Sequence, residues 1–460
     1  MKSTNDLQNK QVLVLGYAMT GKSVVEFLLK AGANIVLNDR GDLSSDPSVS
    51  FLISEGVEVV DGGHPLSLLD RPLDFIVKNP GIPYQIPVLE SAIEQGIPIY
   101  TDIELASRYA SAPIIGITGS NGKTTTTALI YDILKAAHPA QVHLAGNIGI
   151  PTLDIVQTAS ARDIIVMEVS SFQLEGTAQF HPQIAVLTNI YEAHLDYHGS
   201  RVAYVQAKMK LVANQTAEDV VIYNYDQTEL TEFLSESRAV KIPFAIDAVD
   251  DYVRQHGVYL ENEAIYARGE RLFDIQVIQI PGQHNIQNVL AATAVALIEE
   301  VPLATLVEAV HNYQGMPHRI QPMGEYAGVR YYNDSKATNE TATITALDSF
   351  DSSIVYIGGG LDRGVTFEAL IPHLTQVKVA ALYGEAQDKM AAAFKVAGVP
   401  TIEQFEELQE ATTFAVSQAE PGDTVLFSPS CASWDQFENY ERRGEDFIQF
   451  VQSLHGRTEK

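Results

Sequence analysis

The stretch from Ala112 to Thr125 constrains this chain most. Its apolar part, Pro113 to Ile117, predicts a buried strand. A small polar loop with Gly119 and Gly122 follows, and Lys123 with a run of threonines opens a helix that reads through Leu134. A strand, a glycine-bearing loop and Lys-Thr at a helix N-terminus make a phosphate cradle. Backbone N–H groups and the positive end of the helix dipole face the anion, the lysine reaches the terminal phosphates, and a hydroxyl meets Mg²⁺.

The strict pattern G-x-x-x-x-G-K-[ST] fails here, because position 117 is Ile117. It is met instead at Gly16–Ser23, after the apolar run Val12 to Leu15. The residues downstream of each loop separate the two. A nucleoside triphosphate site needs a carboxylate at a neighbouring strand end to hold the metal. After the Lys123 loop, the apolar run from Ile164 ends in Glu168. After the Lys22 loop, the run from Phe75 ends in Lys78 and Asn79. ATP and Mg²⁺ are therefore assigned to Gly119–Thr125, and another phosphate to the first loop, with a ligand-free strand-to-helix turn as its alternative.

At 460 residues the chain exceeds one core and suffices for about three domains. A net charge of −28 argues against nucleic acid and anionic lipid as partners. Its single cysteine excludes an intrachain disulfide framework. The polar start, Met1 to Lys10, shows no signal peptide, and no apolar stretch reaches the ~18 residues of a membrane span. A cytoplasmic, monomeric enzyme is expected.

The fold class expected is α/β in three domains: a Rossmann-like domain over 1–110, a P-loop-type ATPase domain over 111–314, and a second Rossmann-like domain over 315–460. In the first, the Asn34–Asp39 run ends in an acid 23 residues after Gly16, where a dinucleotide-type unit places its ribose-binding carboxylate. Asn79 follows another strand, as a ligand contact or as simple turn chemistry. In the second, the Tyr191–His198 segment gathers two histidines and two acids, Glu192 and Asp196. Without zinc-type spacing, His194 reads as one ligand to Mg²⁺ beside Glu168, against ordinary loop polarity. Lys208 reads as a surface lysine on a helix. Asn285 and Asn288 share the first turns of an Ala-rich helix. In the third, Gly315–Arg319 punctuates a hinge, and four strand-like runs end in polar loops. Cys431 reads as a buried small residue.

The run Thr118-Gly119-Ser120-Asn121-Gly122-Lys123-Thr124 resembles the phosphate loop of the Mur ligases, the ATP-dependent peptide-forming enzymes of peptidoglycan synthesis. Glu168, His194, Lys208, His284-Asn285-x-x-Asn288 and His318-Arg319 follow in that family's order, and the resemblance runs from Gly16 to Gly444. Asn333–Asn339 and Ser428–Phe437 resemble its D-glutamate-adding branch. The resemblance implies a ligase with UDP-N-acetylmuramoyl-L-alanine and D-glutamate as substrates. It implies ATP at Gly119, Ser120, Asn121, Gly122, Lys123, Thr124 and Thr125, with Asn285, Arg319 and Asp334 near the nucleoside. It implies two Mg²⁺ near Thr124, Glu168, His194 and Lys208, the lysine being carbamylated and so an anion rather than a surface cation. Gly16, Met19, Thr20, Asp39, Arg40, Asn79, Gly81, Asn147 and Ser170 would hold the UDP substrate. Lys336, Thr338, Ser433 and Tyr440 would hold the amino acid, with Lys123, His194 and Lys208 catalytic. Tyr440 stands where a Phe is frequent, and Arg363 where some members carry Lys.

The mechanism expected is acyl-phosphate formation, with domain closure about Gly315 to exclude water. Alternatives are another Mur-type or folate glutamate ligase, a nicotinamide dehydrogenase built on Gly16 and Asp39, or a silent nucleotide-binding regulator.

Overall fold

The apolar runs form parallel strands whose Val, Ile and Leu side chains are buried on both faces, as parallel sheets require. A computed structural model describes residues 1–191 and 193–456, with the backbone alone at position 196. The chain divides into two units: residues 1–275 with 287–309, and residues 276–286 with 310–460. Three sheets lie within them, and the architecture is α/β throughout.

The first unit holds two sheets. One is a five-stranded parallel sheet in the order Glu58–Val60, Asn34–Asn38, Gln11–Leu15, Phe75–Lys78, Ile99–Tyr100. Its order reverses between the Gln11 and Phe75 strands, where open α/β sheets bind ligands. Gly16 and Asn79 directly follow those two strands. Gly16 has φ +93°, and a Cβ on it would lie 2.9 Å from the Asn79 Cβ, so only glycine fits. The helix after Gly16 runs Met19–Lys30.

The other is a nine-stranded sheet. Ile114–Thr118 lies inside it, with Ile164–Glu168 on one side and Ile184–Leu187 on the other, both parallel. Register pairs Ile117 with Glu168 and Thr118 with Leu187, so three strands end level. The strands Val258–Glu261, Ala264–Ala267 and Glu270–Asp274 add an antiparallel edge. Both sheets of this unit share one buried cluster that includes Phe27, Tyr109, Leu153 and Ile165.

The second unit holds a six-stranded sheet in the order Gln321–Tyr326, Val329–Asn333, Thr424–Ser430, Ile354–Gly359, Val377–Tyr383, Thr401–Phe405. Only the Gln321 strand is antiparallel. Among the described residues no helix is long and apolar enough to cross a membrane.

Candidate functional site

The phosphate loop is fixed from beneath by the end of the Ile184–Leu187 strand. Asn189 O accepts from the Ser120 N–H at 2.9 Å, and Asn189 Oδ1 accepts from the Asn121 N–H at 2.8 Å. Thr188 Oγ1 donates to Asn121 O at 2.6 Å. A Cβ on Gly119, whose φ is +157°, would run into that same hydroxyl. Gly122 has φ +78° and precedes the helix Lys123–Ala137, whose first turn offers N–H groups and a positive dipole end. Lys123 Nζ donates to Gly119 O at 2.8 Å and Ser120 O at 2.9 Å. Thr124 and Thr125 are buried behind it, and Thr126 donates to Asn288 Oδ1 at 3.0 Å.

Glu168 ends its strand with 1% exposure. Its Oε1 accepts from Asn147 Nδ2 at 2.8 Å, while Oε2 is buried without a hydrogen-bond partner. An orphaned buried carboxylate oxygen beside a phosphate loop suits a hard cation. Mg²⁺ takes oxygen ligands, needs only one or two carboxylates, and keeps several waters. Among the described residues, no three His, Cys, Asp or Glu side chains are grouped to hold a metal ion.

Lys208 corrects the surface-lysine reading. It is 1% exposed, and its Nζ donates to Gly119 O at 2.7 Å. Burial holds this amine well below the ordinary lysine range; the Lys123 ammonium adds to the effect and Glu168 opposes it. The helix Arg201–Met209 buries Tyr204, Val205, Ala207 and Lys208 on one face. Lys208 stands four residues after Tyr204, so helical spacing carried the signal that composition hid.

His194 is exposed, at φ +54°, with its ring 4.9 Å from that of Phe172. His198 turns elsewhere: Nδ1 lies 2.9 Å from Glu175 Oε2 and Nε2 3.0 Å from Ser171 Oγ. Glu192 and the Asp196 side chain lie outside the described residues, so the four-residue cluster has no geometry here.

The first loop is built differently. Its lysine and serine sit inside the helix, and both are already engaged. Lys22 Nζ pairs with Asp46 Oδ2 at 2.6 Å, and Ser23 Oγ donates to Asp154 Oδ1 at 2.6 Å. Asp39 Oδ2 accepts from the Tyr17 N–H at 2.7 Å and Oδ1 from the Gly41 N–H at 2.8 Å, closing the loop on itself. Gly16, Thr20, Asp39, Asn79 and Gly81 sit at the ends of neighbouring strands or on the first helical turn, with Met19 and Arg40 exposed. Asn147 is held at Glu168, and Ser170 caps the helix Ser171–Glu175.

In the second unit, strand-end loops converge on the helix Tyr440–Leu454. Lys336 Nζ lies 5.5 Å over the Tyr440 ring, and Ser335 Oγ donates to Tyr440 O at 2.8 Å. Arg443 is fully buried and donates to Ser335 O at 2.8 Å and Cys431 O at 3.0 Å. Cys431 is buried as expected. Asp334 accepts from Ser428 Oγ at 2.7 Å and the Ile320 N–H at 3.1 Å; burial pushes its carboxyl up to about 7. Asn285 donates to Pro281 O at 2.6 Å and is buried, and Arg319, which precedes Ile320, is half-buried. Ser433 is buried and Thr338 half-buried. Sequence reasoning missed Thr188, Asn189, Tyr204 and Arg443. The first two were visible as a polar pair ending an apolar run.

Residues 10–101 match the Mur ligase MurD-like N-terminal domain, 117–296 the Mur ligase middle domain, and 318–431 the Mur ligase glutamate ligase domain. The UDP-N-acetylmuramoylalanine--D-glutamate ligase of Enterococcus faecalis is 47% identical, covering 99% of each chain. The protein of that name from Lactiplantibacillus plantarum is 44% identical, covering 100% of each. Among solved structures, the UDP-N-acetylmuramate-alanine ligase MurC of Thermotoga maritima is 17% identical with a TM-score of 0.58, over 97% of this chain and 99% of that one. The MurF ligase of the same organism, in complex with ADP, is 17% identical with a TM-score of 0.57, over 99% and 98%. Those two likenesses concern the fold; the identities across the full length concern descent, and by them the chain belongs to the Mur ligase family.

Proposed function

We propose that this protein is an ATP-dependent amide ligase that joins D-glutamate to UDP-N-acetylmuramoyl-L-alanine in the cytoplasm, acting as a monomer. The observation that carries the ATP assignment is the contrast between the two loops. Lys22 and Ser23 are spent on Asp46 and Asp154, whereas the Lys123 loop stands beside a buried carboxylate oxygen that lacks a partner. The names of the full-length relatives supply the substrates. The division at 110 and 314 belongs to the same reading.

The chemistry explains why ATP is needed. A carboxylate is a poor acyl donor because oxide is a poor leaving group. Phosphorylation by the ATP γ-phosphate gives an acyl phosphate, which the neutral D-glutamate amine attacks with phosphate leaving. Lys123 stabilises charge that develops on the transferring phosphoryl group. Thr124, Glu168, His194 and a carbamylated Lys208 would hold Mg²⁺, which when bound screens the phosphate oxygens. The depressed basicity of Lys208 favours a neutral amine, the form that adds CO₂. Asn285, Arg319 and Asp334 serve the nucleoside, and Lys336, Thr338, Ser433 and Tyr440 serve D-glutamate. Gly16, Met19, Thr20, Asp39, Arg40, Asn79, Gly81, Asn147 and Ser170 serve the UDP substrate.

Phosphate release from ATP is expected only when the UDP-muramoyl-L-alanine and D-glutamate are both present. Release with L-lysine or L-alanine in place of D-glutamate, and none with D-glutamate, would overturn the substrate assignment.

A further inference from the structure

Lys78 has no part in the chemistry above, yet it is 1% exposed at the end of the Phe75–Lys78 strand. A buried ammonium is costly unless oxygens surround it. Its Nζ donates to Ile82 O at 2.8 Å, Pro80 O at 3.1 Å and Asn79 O at 3.4 Å, the carbonyls of the loop after that strand. It also donates to Tyr197 Oη at 3.1 Å, and the Tyr84 ring lies 4.6 Å away. Tyr197 in turn donates to Pro80 O at 3.2 Å.

Tyr197 belongs to the segment that carries His194. Its ring meets Phe172 edge-on at 4.5 Å, and Phe172 packs on His194 at 4.9 Å. His194 lies 6.2 Å from the Tyr204 ring, and the Tyr204 hydroxyl is 2.7 Å from Ser120 Oγ in the phosphate loop. A continuous set of contacts thus joins the strand switch point of the first sheet to the phosphate loop of the second.

We propose that Lys78 is a positioning residue that, through Tyr197, locks the Asn79–Ile82 loop to the His194 segment and so holds the UDP-muramoyl substrate in register with the metal-bearing side of the site. The proposal rests on the ligase reading. Lys78 touches no reacting atom; it acts through the loop and through Tyr197.

Steady-state kinetics of the full chain tests it, with Lys78→Met, Tyr197→Phe and the double variant. Each single change is expected to raise KM for UDP-muramoyl-L-alanine about tenfold, with KM for D-glutamate within about twofold of wild type. The double variant is expected to be no worse than the worse single, because both changes open one latch. Tyr197→Phe keeps the ring on Phe172, so it decides the matter alone should Lys78→Met fail to fold. An unchanged muramoyl KM in a folded variant, an equal rise in the D-glutamate KM, or multiplied effects in the double variant would overturn the proposal. A wild-type chain that releases no phosphate with all three substrates would overturn the ligase reading and the proposal with it. An active wild type with silent variants would overturn the proposal alone.

Discussion

Replacing Lys123 by alanine is expected to lower kcat by at least ~100-fold, with a smaller rise in KM for ATP. The reason is where the ammonium stands. It opens the helix after the phosphate loop and is held at the mouth of that loop by Gly119 O and Ser120 O. A polyphosphate is a stronger, charge-assisted partner for the ammonium than these carbonyls. Charge on the transferring phosphoryl group is redistributed between ground and transition state, and only the part that strengthens there raises kcat. The side chain is half-buried at the mouth of the loop, and the melting temperature is expected to move little. Phosphate release under saturating substrates reads the effect, and kcat within about tenfold of wild type would remove Lys123 from the chemistry.

Glu168→Gln is expected to lower kcat by about 100-fold and to raise the Mg²⁺ concentration for half-maximal activity by about tenfold or more. The substitution keeps shape and keeps an oxygen for Asn147 Nδ2, which now meets Glu168 Oε1. It removes the charge on a carboxylate whose other oxygen is buried and unpartnered. The replacement keeps the Asn147 contact and buries no charge, so it is expected to fold about as well in the absence of Mg²⁺. A stable variant with a weakened Mg²⁺ response separates metal binding from a structural role. A destabilised variant with an unchanged Mg²⁺ response would assign Glu168 to the core.

The strand–loop–helix from Ile114 to Ala137, the acid at the end of the neighbouring strand and the α/β character were legible because they depend on short runs. Apolar stretches of about five residues, glycine at a positive φ and a Lys-Thr pair carry their meaning locally. The pattern at Gly16–Ser23 shows the limit of such reading. It matches the motif letter for letter, yet the helix begins at Met19, which puts Lys22 a turn too deep and beside Asp46. Asp46 and Asp154 are 24 and 131 residues from their partners, and no local pattern announces them. Lys208 was misread for the same reason, and the burial of Lys78 has no local signal either. A lysine's surroundings are decided by which segments fold over it, and here those segments are the phosphate loop for one and the Asn79–Ile82 loop with Tyr197 for the other. The burial of Lys208 departs from the surface reading of the residue alone; the resemblance implied a role for Lys208 and none for Lys78.

On the ligase reading, the triphosphate lies on the later loop. A crystal structure of the full chain with Mg²⁺ and a non-hydrolysable ATP analogue tests it directly. The γ-phosphate is expected against the Gly119–Thr124 backbone, with the metal on Glu168. Analogue density on Gly16–Ser23, with the later loop empty, would contradict the account.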